Sequence, residues 1–234
     1  MLADWLDERD ATWRVAVTTA SLDPFRGYAT ALSSRLPDAV RVLDPFHIVR
    51  LGLACVDDVR RRVQHDTNGH RGRSRDLLYG IRRVLRRRRD RLSTMARARL
   101  QAGLIAGDRD GEVTLAWTIA QDLMDLYRLN DPDLARTRAA ALITDLRDCP
   151  IAELARLGRT LHAWQVELCA HFDHPDVSNG PTENLNLKIK NTKRIAGGYR
   201  NFDHYRLRLL LNHGRTRQNH SPTRIRTRAP RLAA

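Results

Sequence analysis

The 234-residue sequence contains only three cysteines, Cys55, Cys149 and Cys169, an odd number set far apart. None belongs to a CxxC pair, which excludes the usual zinc-finger and dithiol redox patterns and fits a reduced, cytoplasmic compartment. Long apolar runs are also missing. Residues 1–14 (MLADWLDERDATWR) are charged throughout, without the apolar core of a signal peptide, and no later stretch approaches the roughly 18 apolar residues that span a bilayer. Membrane and secreted classes are therefore set aside, and no internal repeat points to a solenoid. Acidic residues are in short supply: 27 Asp plus Glu face 41 Lys plus Arg, a formal charge of +14.

What remains is an ordinary folding composition, 42% apolar and 29% charged, in a chain long enough for one core or a core plus a satellite domain. The basic excess predicts a polyanionic partner, because each neutralised phosphate releases condensed counterions.

Val- and Thr-rich residues 13–22 (WRVAVTTASL) predict a strand ending at Asp23-Pro24, and residues 25–36 a helix stopped by Pro37. A second short apolar run, 39–43 (AVRVL), ends in another Asp-Pro step, Asp44-Pro45. Strand, helix, strand at this spacing predicts a right-handed parallel βαβ unit. From Phe46 onward helices dominate, the first with Ile48, Leu51, Cys55, Val59 and Val63 on one face. A polar loop is expected over 65–75, then a helix burying Leu78, Ile81, Leu85 and Leu92. Further helices are expected over 96–106, 112–129 and 132–147, and the longest over 151–172, striped by Leu154, Leu157, Leu161, Trp164, Leu168 and Phe172. After a loop at 174–180 come a basic helix from Pro181 to Arg194, a Gly197-Gly198 break and a helix over 203–213. Residues 215–234, rich in Arg, Thr and Pro, are expected to be disordered.

Two features bear on chemistry. Asp23 and Asp44 end adjacent predicted parallel strands, the sheet edge where ligands and metals gather in open α/β folds. Taken alone, each more commonly marks a simple Asp-Pro turn and helix cap. In the segment SNGPTE (178–183), Glu183 opens a helix carrying Lys188, Lys190, Lys193 and Arg194. A carboxylate in so basic a surface suits a Mg²⁺ ligand facing a phosphate backbone. An acid favoured by the helix dipole suits the same position. Arg86 to Arg89 reads as a solvated helix face or a phosphate contact. His47 and His70, as lone histidines, read as structural or surface residues, although His47 belongs to the word DPFH. Tyr199 and Phe202 suit base stacking or packing at the start of a helix.

The order of these words resembles the DDE-type transposases of the ISL3 group. The resemblance rests on ASLDPFRGYATAL (20–32), VLDPFHIVRL (42–51), RRRVQHDTNGHRGRSRDLLYGIRRVL (60–85), SNGPTENLNLKIKNTKR (178–194) and GYRNFDHYRLRLLL (198–211). It implies a partial RNase H-like fold, α/β with a large helical part, and Mg²⁺- or Mn²⁺-dependent DNA strand cleavage and transfer at transposon ends. By this resemblance Asp23 matches the second family acid and Glu183 the third, both catalytic and metal-binding. Asp44 matches a recurrent acid, as ligand, supporting group or turn former. Lys188, Lys190, Lys193, Arg194 and Arg200 are the expected DNA contacts.

The expected organisation is a βαβ segment and following helix (1–64), a helical insertion (65–174), the third-acid helix with basic C-terminal helices (175–214) and a tail (215–234). The family's zinc-binding region, helix-turn-helix and first acid have no counterpart here, so the expectation is a truncated transposase, inactive or nearly so alone. The rival expectation is a non-catalytic DNA-binding or interaction protein that pairs with itself or a full-length transposase. A blander one is a helical protein whose basic surface serves solubility or RNA.

Overall fold

The computed structural model describes residues 2–214, so the expected disordered tail lies outside the described residues. The chain divides into two units, Met1–Asn179 and Gly180–Ala234.

In the first unit, two short helices, α1 (Leu2–Asp7) and α2 (Ala11–Val15), precede strand β1 (Thr19–Leu22). Of the ten residues 13–22 expected as strand, only the last four, Thr19–Leu22, form one. Asp10 caps α2 by accepting from the Trp13 N–H at 2.6 Å, which places residues 13–15 in a helix. Helix α3 (Arg26–Arg35) crosses over to β2 (Val40–Leu43), and the two strands pair in parallel with Leu22 opposite Leu43. Val42 and Leu43 are fully buried, covered by the sheet's helical neighbours.

Helix α4 (Pro45–Asn68) is the scaffold of the unit. It buries Ile48, Cys55 and Val59 and ends at Gly69, whose φ of 71° suits a residue without a side chain. The loop expected from His65 therefore begins four residues later. Next come α5 (Leu77–Ile81), α6 (Thr94–Gly107), α7 (Glu112–Leu126), α8 (Pro132–Arg147), α9 (Ala152–Ala163) and α10 (Gln165–Asp173). Helix α4 packs on α7 and α9, α8 on α9, and α10 on β2. Arg62 of α4 ties three helices together by reaching Glu153 at 2.7 Å and Glu112 at 3.0 Å. Burial pushes the Glu153 carboxyl up, but the Arg62 hydrogen bond, a backbone hydrogen bond and the charges of Arg62 and Arg156 together outweigh this and leave it below the usual carboxylate range.

Two expected helices are broken. Leu78, Ile81, Leu85 and Leu92 are all buried as expected, yet they lie on α5, a series of turns and a single 3₁₀ turn at Arg89–Arg91. The cause is Gln121, buried on α7, whose side-chain amide accepts from the Arg89 N–H at 2.8 Å and donates to the Arg87 carbonyl at 3.2 Å. Arg86 to Arg89 is therefore not a helix face: Arg88 instead reaches Asp125 at 2.5 Å and the Met124 carbonyl at 3.1 Å. The predicted helix over 151–172 keeps its buried stripe but breaks at Trp164 (φ −118°, ψ 16°), giving α9 and α10, and α4 is the longest helix described. Arg26 stacks on the Trp164 ring at 4.5 Å and donates to the Ala163 carbonyl at 3.1 Å, so the break is held from the start of α3.

The second unit is a helical hairpin of α11 (Gly180–Ile195) and α12 (Phe202–His213). Gly197 and Gly198 form the turn with φ of 66° and 103°. Tyr205 stacks near Tyr199 at 4.9 Å and donates to the Ile189 carbonyl at 3.4 Å. Phe202 is 73% exposed, so it does not pack at the start of its helix. No described helix is long and apolar enough to cross a membrane.

A Cβ on Gly158 of α9 would stand 2.7 Å from the Arg147 nitrogen and the Leu146 carbonyl carbon. Backbone atoms cannot swing aside, so this clash outweighs the ~1 kcal/mol of helix propensity that alanine adds. Gly158→Ala should destabilise the fold by about 1–3 kcal/mol, read as a lower denaturant midpoint. An unchanged midpoint would mean that α8 and α9 are not in such close contact.

Burial holds the His171 imidazole below its ordinary range, while the Asp44 charge pulls the other way. A base with a lowered folded pKa binds fewer protons folded than unfolded, so its contribution is lost as pH falls through about 6.5. Melting temperature should drop between pH 7.5 and 5.5, and more steeply in the wild type than in His171→Gln. Parallel curves would remove His171 from the account.

Candidate functional site

Parallel register decides where the acids go. Since Leu22 lies opposite Leu43, the next residues, Asp23 and Asp44, leave the same end of the two strands side by side. The ladder continues one step further, the Asp44 N–H donating to the Leu22 carbonyl at 3.2 Å. Asp44 then occupies the N-cap of α4 with Pro45 as the first helical residue, but its side chain makes no capping hydrogen bond. Of the two readings of this Asp-Pro step, the backbone takes the cap position while the carboxylate is directed elsewhere.

One turn into α4, at the i+3 position from Asp44, His47 places Nε2 2.9 Å from Asp23 Oδ1 and 3.8 Å from Asp44 Oδ2. The histidine set aside as structural thus stands within reach of both acids. The Asp44 side chain is 5% exposed and that of His47 13%, whereas that of Asp23 is 41% exposed. A carboxylate as deeply buried as Asp44 is costly without compensating charge or hydrogen bonds. Phe46 meets the His47 ring edge to face, with centroids 5.4 Å apart.

Asn179 joins the cluster from far along the chain. Its Nδ2 donates to Asp23 Oδ1 at 2.7 Å, so this one oxygen receives both the amide and His47. Asn179 lies within the SNGPTE word, but as a loop residue ahead of a helix it carries no periodicity that would single it out. His47 had a better signal, its i+3 spacing from Asp44.

Asp44 and His47 offer the kinds of donor atom that a divalent cation takes. Carboxylate oxygens are the donors that Mg²⁺ and Mn²⁺ prefer, and imidazole is acceptable to Mn²⁺.

The remaining expected residues lie on the hairpin. Glu183 occupies the exposed first turn of α11. Lys190 and Arg194 follow it by seven and eleven residues, so the three form one stripe, with Lys188 on the opposite side. Lys188, Lys190, Lys193, Arg194 and Arg200 are all exposed. His70 is structural, 3.4 Å from Asp76 in the loop after α4.

The ISL3-type DDE family model, described as "Transposase", matches residues 1–209. A transposase for insertion sequence element IS1557 of Mycobacterium tuberculosis (strain CDC 1551 / Oshkosh) is 25% identical over 213 residues, covering 84% of this chain and 48% of that protein. A transposase for insertion sequence element IS1001 of Bordetella parapertussis is 25% identical over 194 residues, covering 82% of this chain and 47% of that protein. The chain thus spans about half the length of the curated relatives it matches. No solved structure matches it.

Replacing Asn179 by Asp would set a carboxylate beside Asp23 where an amide now donates. Like charges this close repel by several kcal/mol even at an effective dielectric constant of about 20. Asn179→Asp should release the 174–179 segment, read as faster amide exchange and proteolysis there than in Asn179→Ala. Equal protection in both variants would show that the Asn179 contact does not order the segment.

Proposed function

Because the chain belongs to the ISL3 family of DDE transposases, we propose that it forms part of the catalytic machinery for metal-dependent cleavage and transfer of DNA strands at transposon ends. The observation carrying this reading is the meeting of Asp23, His47 and Asp44 at the C-terminal edge of a parallel strand pair. In the proposed architecture the β1–α3–β2 unit belongs to an RNase H-like sheet, residues 65–174 form its helical insertion, and residues 175–214 bring the third acid and basic helices.

Asp23 and Glu183 are the proposed catalytic acids, with Asp44 as a further ligand. They would hold Mg²⁺ or Mn²⁺, which when bound supplies Lewis-acid activation of the attacking and leaving oxygens. His47 positions Asp23 by holding one of its oxygens, and Asn179 fixes the same oxygen from the other direction. Lys190, Lys193 and Arg194, with Lys188 and Arg200, are the proposed DNA contacts, drawing the backbone toward the Glu183 end of their helix.

Asp23 and Glu183 correspond to two of the family's three acids. Cleavage by residues 1–234 alone is therefore expected at or near background. A second reading, a non-catalytic partner of itself or of a full-length transposase, draws support from the exposed Leu207, Leu210 and Leu211 on α12.

Two measurements test the proposal. Mn²⁺ should bind the wild type, and Asp23→Asn and Asp44→Asn should each weaken binding by about tenfold or more. Equal Mn²⁺ binding in all three would sink the metal assignment. With a labelled inverted-repeat duplex and Mg²⁺ or Mn²⁺, retained DNA binding without cleavage supports a partial acid set. Cleavage that Glu183→Gln abolishes would show instead that these residues complete the set.

A further inference from the structure

Away from the strand edge, the first unit contains a second feature that the proposed catalysis does not use. The loop after α4 folds back over the start of α5 and encloses a cleft of about 510 Å³. Its lining includes six arginines, Arg60, Arg61, Arg71, Arg82, Arg83 and Arg86, against a single acid, Asp57. So many like charges in one concavity are unfavourable unless an anion occupies it or solvent screens it.

The cleft has an ordered floor. Arg60, 3% exposed, is fixed by Asp57 at 2.6 Å and by Gln64. Its guanidinium lies 5.9 Å from the Tyr79 ring centre, and that of Arg82 lies 3.8 Å from it, so one ring holds two cations in place. The loop is fixed as well. Asp76 accepts from the Arg73 N–H at 2.5 Å and from Gln64 at 3.4 Å. Gly72 has a φ of 118°, and a Cβ there would meet Tyr79 at 2.7 Å. Only glycine lets the backbone approach the ring so closely, which sets neighbouring Arg71 on the rim.

Asp57 is already engaged, by Arg60 at 2.6 Å and Arg61 at 2.5 Å. Among the described residues no ion pair involves Arg71, Arg83 or Arg86, and all three are exposed. The cleft therefore has a floor held in place by Asp57, Gln64 and the Tyr79 ring, and a rim of three guanidiniums without an ion pair among the described residues, groups whose planar fork matches phosphate oxygens.

We propose that this cleft is a second DNA-binding site, gripping the phosphate backbone of duplex DNA through Arg71, Arg83 and Arg86. It rests on the reading that DNA is the partner, and it adds a contact separate from the basic stripe of α11. Phosphate contacts of this kind fix the protein's position on the duplex and carry no base sequence information.

The test measures binding of the full chain to a labelled duplex of roughly 30 base pairs by fluorescence anisotropy across a salt series. In the triple variant Arg71→Ala, Arg83→Ala, Arg86→Ala, affinity near 0.1 M salt should fall about tenfold or more, and the slope of log K against log salt should flatten by about 2 to 3. The corresponding triple lysine variant should keep most of the slope, since charge is retained. If thermal melting shows the alanine triple to be unfolded, Arg83→Glu alone replaces it and should weaken binding in the same direction. Unchanged affinity and slope would overturn the cleft while leaving DNA as partner, and so would a loss seen only on replacing Lys190, Lys193 and Arg194. A wild-type chain that binds no duplex would overturn both readings. Weakened binding to RNA or to phosphatidylserine vesicles with duplex binding intact would assign the cleft to a different polyanion.

Discussion

The pairing of β1 with β2 is the constraint on which the site depends. In a parallel pair both strands end at the same edge, and the register that sets Leu22 against Leu43 makes the following residues of both strands neighbours. A slip of one residue would invert every side chain on that strand and send one carboxylate to the opposite face. The buried ends of the strands, Leu22, Val42 and Leu43, resist such a slip because they would trade a packed core for solvent. Hydrophobic burial thus fixes the spacing of two groups that would otherwise repel.

Charge is organised differently in different parts of the fold. The net excess of +14 suggests a uniformly basic surface, yet many arginines of the first unit are tied to acids. Arg62 joins three helices through Glu112 and Glu153, and Arg88 anchors a turn to Asp125. These pairs act as structural ties; other arginines, among them Arg50, Arg97 and Arg147, join no ion pair among the described residues, and the cleft rim gathers three such cations in one place. Cations gathered in a concavity concentrate the field there more than the same charges spread over an open surface.

Much of this was legible in the sequence wherever a short-range signal carried it. The βαβ unit followed from two apolar runs with Asp-Pro ends, and Pro132–Arg147 from a proline at its first turn and a regular apolar stripe. The strand over 13–22 was overextended because Val and Thr outweighed a local cap at Asp10. The breaks at Trp164 and before Arg89 escaped notice because their causes, Arg26 and Gln121, are remote in sequence. The place of Asp23 and Asp44 at the ends of adjacent parallel strands was expected from the two Asp-Pro steps and is observed. Asn179, 156 residues from the oxygen it holds, was not expected, since no pattern of spacing encodes a contact made only by tertiary folding.

That same contact makes two properties of the molecule thermodynamically inseparable. Asp23 Oδ1 has limited capacity, and the Asn179 amide draws on it from the far end of the first unit. Any ligand that strengthens or weakens the Asp23 grip on this amide must, by linkage, find its own affinity changed by the same factor when the segment is ordered or released. The chain just ahead of the basic hairpin thus reports on the state of the acid, and the acid on the state of the chain.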